Sequence, residues 1–205
     1  MKNKILIFGG TFNPIHNGHL ILAENSINEE GFDKVVFIPT MNPYYKDTLD
    51  FDTRLKMLKM AIKDNDKFAY SSIEKKYNLE GKLYLILEKI SKLSDDDVTI
   101  LIGSDSLMNL DWWYKIDEIL KKYKILVLRR DDEDEAIEMK INEYKEKYGA
   151  DIKVLNNKRV EISSSMIREM IKEGKSIKYL VTDEVEKFIK DENLYVWYWK
   201  VQRKT

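Results

Sequence analysis

The sequence predicts an α/β protein built on a doubly wound parallel sheet. The first observation is a set of short, predominantly apolar runs, at residues 5–8, 35–38, 98–102 and 124–128, each suited in length to a strand buried on both faces. The second is that segments of helical length and periodicity separate these runs, the alternation expected of parallel strands joined by helical crossovers. The third is that the glycine-containing and polar motifs follow the apolar runs directly. Right-handed crossovers place the ligand crevice of such a sheet at the carboxyl ends of its strands.

The elements follow in order. Ile5-Leu6-Ile7-Phe8 is the first strand, and the segment 18–30 is a helix with Leu20, Ile21, Ala23 and Ile27 on one face and Gly31 closing it. A strand over 35–38 stops at Pro39. Helix 51–64 repeats the pattern through Leu55, Leu58, Ala61 and Ile62, with Asp50 or Asp52 as its cap. A weaker strand over 68–73 precedes a helix over 82–93 and a strand over 98–102 that ends at Gly103. A helix over 112–122 and a strand over 124–128 come next. The segment 131–148 reads as a charged helix with a seam of Ala136, Ile137, Ile141 and Tyr144, its acidic start suiting the helix dipole, and Gly149 ends it. The last strand is 152–155. Helix 166–173 has Ser163, Ser164 and Ser165 as cap candidates and ends at Gly174, and a final helix over 183–191 follows Thr182 as cap.

At 205 residues, the chain fits one domain over residues 1–205. Hydrophobic residues make up 43% and charged residues 35%, balanced at a net charge of −1, which argues against nonspecific binding to nucleic acid. The absence of cysteine excludes disulfides, thiolate metal sites and a cysteine nucleophile. No apolar run reaches membrane-spanning length, and the first strand begins too early to leave room for a cleaved signal, so a cytoplasmic protein with no membrane partner is expected.

Chemistry concentrates in Gly9-Gly10-Thr11-Phe12-Asn13-Pro14-Ile15-His16-Asn17-Gly18-His19, directly after the first strand. Glycines without a Cβ let backbone N–H groups approach a ligand, Asn13-Pro14 turns the chain, and the following helix start offers unpaired N–H groups and a positive dipole end to an anion. His16 and His19, the only histidines of the chain, lie over that opening. Far downstream, Ile162-Ser163-Ser164-Ser165-Met166-Ile167-Arg168 sets three hydroxyls and an arginine on another helix start, a second anion cradle, although such a serine run also serves as an ordinary cap. Gly103-Ser104-Asp105 follows a strand, where a carboxylate can accept from both ribose hydroxyls or simply cap a turn.

The first of these stretches resembles the T/H-x-G-H signature of the nucleotidyltransferase superfamily and, in its longer form, is similar to the nicotinate-nucleotide adenylyltransferase family. The similarity extends over nearly the whole chain. It implies a Rossmann-like nucleotidyltransferase fold with a small C-terminal helical part, and adenylyl transfer from ATP to nicotinate mononucleotide in NAD biosynthesis, with Mg²⁺ carried by ATP and no protein metal cage. By resemblance, Gly9, Gly10, Thr11, Phe12 and Gly18 line the ATP site with His16 and His19, while Gly103 and Asp105 take the adenosine ribose. Ser164, Ser165 and Arg168 take the β and γ phosphates. Lys46 takes the mononucleotide phosphate, the catalytic set being His16, His19, Lys46 and Arg168. Trp113, with Tyr114, falls where the family stacks an indole on the pyridine ring.

Two departures bear on the acceptor. Pro43-Tyr44-Tyr45-Lys46 stands where the family has Pro-Pro-His-Lys, and Leu85 stands where it has a threonine, leaving a backbone N–H as the donor expected there. Other acceptors on the same fold, such as nicotinamide mononucleotide or phosphopantetheine, and a catalytically silent nucleotide-sensing module, are the alternatives. The aromatic run Tyr195-Val196-Trp197-Tyr198-Trp199 has two readings, edge packing on its own chain or a subunit interface in a homo-oligomer.

Overall fold

The structure is a computed structural model, described for residues 2–41, 43, 48–79, 81–129, 134–156 and 158–196. Among these residues six strands form one sheet: β1 (Lys4–Gly10), β2 (Lys34–Pro39), β3 (Phe68–Tyr70), β4 (Asp97–Gly103), β5 (Lys124–Leu128) and β6 (Ile152–Val154). Their order is β3-β2-β1-β4-β5-β6, and every pairing is parallel. This is the doubly wound arrangement, with its switch point between β1 and β4, where Phe8 lies beside Leu101.

Side-chain alternation along the strands divides the core. Leu6 and Phe8 of β1, Leu101 of β4, and Leu126 and Leu128 of β5 face one layer. That layer holds α1 (Asn17–Glu30), α2 (Phe51–Ile62), α8 (Ser164–Lys172) and α9 (Asp183–Asp191) through Ala23, Leu58, Ile167 and Val185. Ile100, Ile102, Ile125 and Val127 face the other, which holds α4 (Leu83–Leu93), α6 (Ile116–Lys122) and α7 (Asp134–Tyr148). A strand covered on both faces favours apolar residues at successive positions, with Thr99 the buried polar exception in β4. The C-terminal helices are thus part of the first layer and pack on the sheet. No helix among the described residues is long and apolar enough to cross a membrane.

Helix ends follow the local signals. Gly31 closes α1 in the left-handed region at φ 70°, its N–H bonded to Ile27 O at 2.8 Å. Asp50, not Asp52, caps α2, accepting from the Thr53 N–H at 2.9 Å. Ser163 caps α8 through Met166 N–H at 3.1 Å, so the helix begins at Ser164, two residues before the expected start. Thr182 holds the N-cap position of α9 without a side-chain bond; its buried hydroxyl has no partner among the described residues.

Two further expectations are corrected. The helix over 112–122 is a short 3₁₀ turn, Leu110–Trp112, followed by α6 from Ile116, because Lys115 adopts a left-handed conformation at φ 52° and interrupts helical geometry. The strand over 68–73 ends at Tyr70, and α3 (Ile73–Tyr77) begins where it was expected to finish. A further short helix, α5 (Ser104–Leu107), follows β4. Residues 131–133 of the acidic run, Lys46 and residues 197–205 of the aromatic tail lie outside the described residues.

Candidate active site

β1 delivers the chain to the site and α1 takes it away. Between them, Phe12 turns in the left-handed region at φ 49°, with its ring in the core against Phe8, Phe37 and His19 at centroid distances of 5.8, 5.8 and 5.2 Å. Phe12 therefore presents only its backbone to the outer side of the loop. A Cβ on Gly10 would come within 3.0 Å of the Phe12 ring, and one on Gly18 within 3.0 Å of His16 Nδ1, so at both positions glycine lets the loop pack closely on itself. A Cβ on Gly9 would meet nothing within 4 Å. Gly9 therefore leaves open space beside the loop, as a close backbone approach by a ligand requires.

His16, only 6% exposed, is the N-cap of α1 in extended geometry. Its ring stacks on His19 with centroids 3.6 Å apart. The His16 N–H donates to His19 Nδ1 at 3.2 Å, and the His19 N–H donates to His16 O at 2.9 Å. This reciprocal bonding has a chemical consequence. Because Nδ1 of His19 is an acceptor, the neutral ring carries its proton on Nε2, leaving that nitrogen as the donor. Phe8 and Phe12 meet the ring edge-on at 5.9 and 5.2 Å and fix its plane.

The second cradle joins the first. Arg168 donates through Nη1 to Asn13 O at 2.8 Å and through Nη2 to Ser165 Oγ at 3.1 Å, while Ser164 Oγ donates to Pro14 O at 2.8 Å. The start of α8 thus sits directly on the loop between β1 and α1. Asn17, at the start of α1, adds a third tie, its N–H to Leu180 O at 2.8 Å and its side chain to Tyr179 O at 2.7 Å. Gly103 and Asp105 lie across the switch point at the carboxyl end of β4, with Gly103 buried and Asp105 exposed on the first turn of α5.

The acceptor-side residues form a separate neighbourhood. Trp113 is half-buried on the second core layer, whereas Trp112 is 87% exposed, so Trp113 is the indole held in place. Tyr84 of α4 meets Tyr114 edge-on at 6.0 Å, bringing the first turn of α4, with Leu85, to the Trp113 segment. Ammonium groups ring this pair: Lys115 lies 4.5 Å over Tyr84 and Lys82 5.5 Å over Tyr114. The Leu85 N–H donates to Lys82 O at 3.0 Å. The backbone donor expected there is already engaged.

Two residues of the site escaped the sequence reading. Arg54 of α2 is 1% exposed, with its guanidinium bonded to main-chain oxygens of the two loops that leave β1 and β2. A cation on the same helical stripe as Phe51, Leu58 and Ile62 was the available signal. Tyr195, beyond α9, reaches Asn13 with its hydroxyl at 2.8 Å. Among the described residues no group of three or more His, Cys, Asp or Glu side chains gathers as a metal cage. The donors here are imidazole, hydroxyl and guanidinium, which suit phosphate oxygens.

The two polar clusters meet at the switch point of a parallel sheet, and the chain matches the cytidylyltransferase-like family model, a nucleotidyltransferase class, over residues 7–170. A protein of Caldicellulosiruptor bescii described as a probable nicotinate-nucleotide adenylyltransferase is 40% identical over 194 residues, covering 94% of this chain and 98% of its own. A Clostridium acetobutylicum protein with the same description is 39% identical over 201 residues, covering 96% and 100%. This chain belongs to the nicotinate-nucleotide adenylyltransferase family. The Plasmodium falciparum nicotinic acid mononucleotide adenylyltransferase complexed with NaAD shares the fold, with a TM-score of 0.77 at 19% identity over 94% of this chain and 97% of that one.

Proposed function

We propose that this chain transfers the adenylyl group of ATP to nicotinate mononucleotide, forming deamido-NAD and pyrophosphate. The observation that carries the reading is the junction of the two cradles, in which Arg168 of α8 bonds to Asn13 O in the histidine loop at 2.8 Å. In the reaction a phosphate oxygen of the mononucleotide forms a bond to the α-phosphorus of ATP, and the bond from that phosphorus to the bridging oxygen breaks as pyrophosphate leaves. A phosphate monoester with a second pKa of about 6 is mostly dianionic at neutral pH, so the protein need not remove a proton.

Catalysis then rests on alignment and charge. The Nε2–H of His19, with its plane fixed by Phe8, Phe12 and His16, donates to the α-phosphate as charge builds there. His16 supports that ring and closes the mouth of α1. Arg168 and Ser165 hold the β and γ phosphates, and Ser164, bonded to Pro14 O, sets the start of α8 beside them, so the leaving group departs along α8. Gly103 and Asp105 take the ribose, Lys46 the acceptor phosphate, and Trp113 the pyridine ring. A divalent cation carried by the triphosphate would supply further charge neutralisation.

Pyrophosphate release, measured with ATP or CTP against nicotinate mononucleotide, nicotinamide mononucleotide and phosphopantetheine, tests the reading. Turnover is expected with ATP and the pyridine mononucleotides. Turnover only with phosphopantetheine, or with CTP in preference to ATP, would overturn it.

A further inference from the structure

We infer that Arg54 is a positioning residue that holds the acceptor loop in register with the triphosphate loop, a role that rests on the adenylyl-transfer reading above. Its guanidinium spans the two loops at the carboxyl ends of β1 and β2. Nη1 donates to Thr11 O at 2.6 Å; Nη2 donates to Thr40 O at 2.8 Å and reaches Met41 O at 3.5 Å; Nε donates to Leu49 O at 2.8 Å. Thr11 lies in the loop that leads to His16 and His19, and Met41 leads into the segment that carries Lys46. One side chain therefore ties the segment proposed to receive ATP to the segment proposed to receive the attacking phosphate.

The surroundings show that this grip is built for loop geometry. Each of these bonds is to a main-chain carbonyl, which fixes backbone position whatever side chains the loops carry. Met41 is held from both sides, its N–H donating to Glu74 Oε1 at 2.7 Å, and Glu74 is itself buried. The Thr40 N–H donates to Gly10 O at 2.9 Å, so the two loops also touch directly beside the guanidinium. Burial pushes the guanidinium pKa down, while Tyr195, Asp50 and Glu74 favour the charged form. Arginine stays protonated under such conditions, and its planar fork can serve several carbonyls at once. A lysine could serve only part of the set.

In-line attack depends on the relative placement of two phosphates, and a shift of about 1 Å between reacting groups can cost ~10²-fold in rate. Loss of Arg54 should therefore reduce turnover of the ternary complex more than binding of either substrate alone. A residue that merely holds the fold together would lower stability and weaken both ligands in step.

The test compares the wild-type protein with Arg54→Lys and Arg54→Met. It reads kcat, KM for each substrate, Tm, and calorimetric binding of a non-hydrolysable ATP analogue. The expected result is a kcat lower by roughly 30-fold or more in Arg54→Met, with a smaller loss in Arg54→Lys, and analogue affinity within about threefold of wild type in both. Should Arg54→Met fail to fold, Arg54→Lys and Glu74→Leu carry the test. Glu74→Leu removes the other hold on Met41 and should raise the acceptor KM while leaving the ATP KM unchanged. A kcat loss below about threefold in folded Arg54 variants, or a loss matched by weaker analogue binding, would overturn the inference. Wild-type turnover is read in the same experiment. Its absence would instead refute the adenylyl-transfer reading.

Discussion

The hydroxyl of Tyr195 donates to Oδ1 of Asn13 at 2.8 Å, tying the last described segment of the chain to the histidine loop. Asn13 is only 4% exposed, and its own carbonyl accepts from Arg168, so one residue couples the C-terminal segment to the second phosphate cradle. Burial pushes the phenol pKa well up, despite the nearby cations Arg168 and Arg54, so the hydroxyl stays a donor. The aromatic run thus begins as packing on its own chain at the site.

Tyr195→Phe should accordingly do more than trim an edge. It leaves a buried amide oxygen without its donor, a loss of about 1–3 kcal/mol. The expected outcome is a lower Tm together with a several-fold higher KM for ATP. A variant with unchanged Tm and unchanged KM would reduce Tyr195 to filler.

For His19 the expected loss is of another kind. Its Nε2 donor acts most strongly on charge that develops during transfer, so His19→Ala should lower kcat/KM by roughly 100-fold or more while ATP-analogue binding changes little. Steady-state kinetics with parallel calorimetry reads both quantities. A fall of less than about tenfold would remove His19 from the centre of the mechanism.

Acid stability offers a check on how α1 is anchored. Glu30, in its last turn, pairs with Lys124 of β5 at 3.2 Å and with Lys153 of β6. Burial alone would raise the carboxyl pKa, but hydrogen bonds and charge from the two lysines hold it below its ordinary value. A depressed folded-state pKa gives stability that is present above the unfolded pKa of about 4.3 and lost as pH falls through the folded value. Thermal melts should therefore show Tm falling below roughly pH 4.5, and Glu30→Gln should lower Tm at pH 7 and flatten that dependence. Parallel pH profiles for the two proteins would contradict this.

Local signals made much of this architecture legible, and non-local ones did not. Gly31 and Asp50 mark helix ends because capping acts within a few residues, and the strands show as apolar runs because both sheet faces are covered. The expected helix at 112–122 failed because Trp112 and Trp113 filled apolar positions in a helical pattern that the conformation of Lys115 breaks. The five residues of α3 are too few for periodicity to register. At the site, each of the two polar clusters could be named from its own spacing. Their junction could not, since Arg168 and Ser164 bond to the carbonyls of Asn13 and Pro14, and a main-chain acceptor has no sequence signature. Arg54 gave a signal by placing a charge on an apolar helix face.

Choice of acceptor is where the account is most exposed. With the Leu85 N–H bonded to Lys82 O and the Trp113 N–H to Leu110 O, selection of the nicotinate carboxylate falls, on the proposed reading, to the ammonium groups of Lys82 and Lys115 around Tyr84 and Tyr114. A carboxamide would present its NH₂ to a donor and leave it unpaired, at about 1–3 kcal/mol, or roughly tenfold to a hundredfold in rate. The decisive measurement is kcat/KM for nicotinate mononucleotide and nicotinamide mononucleotide with ATP and Mg²⁺, with the dinucleotide product identified by chromatography. The account predicts deamido-NAD as product, with nicotinate mononucleotide favoured by about tenfold or more. Equal use of the two, preference for the amide, or no dinucleotide from either would contradict it.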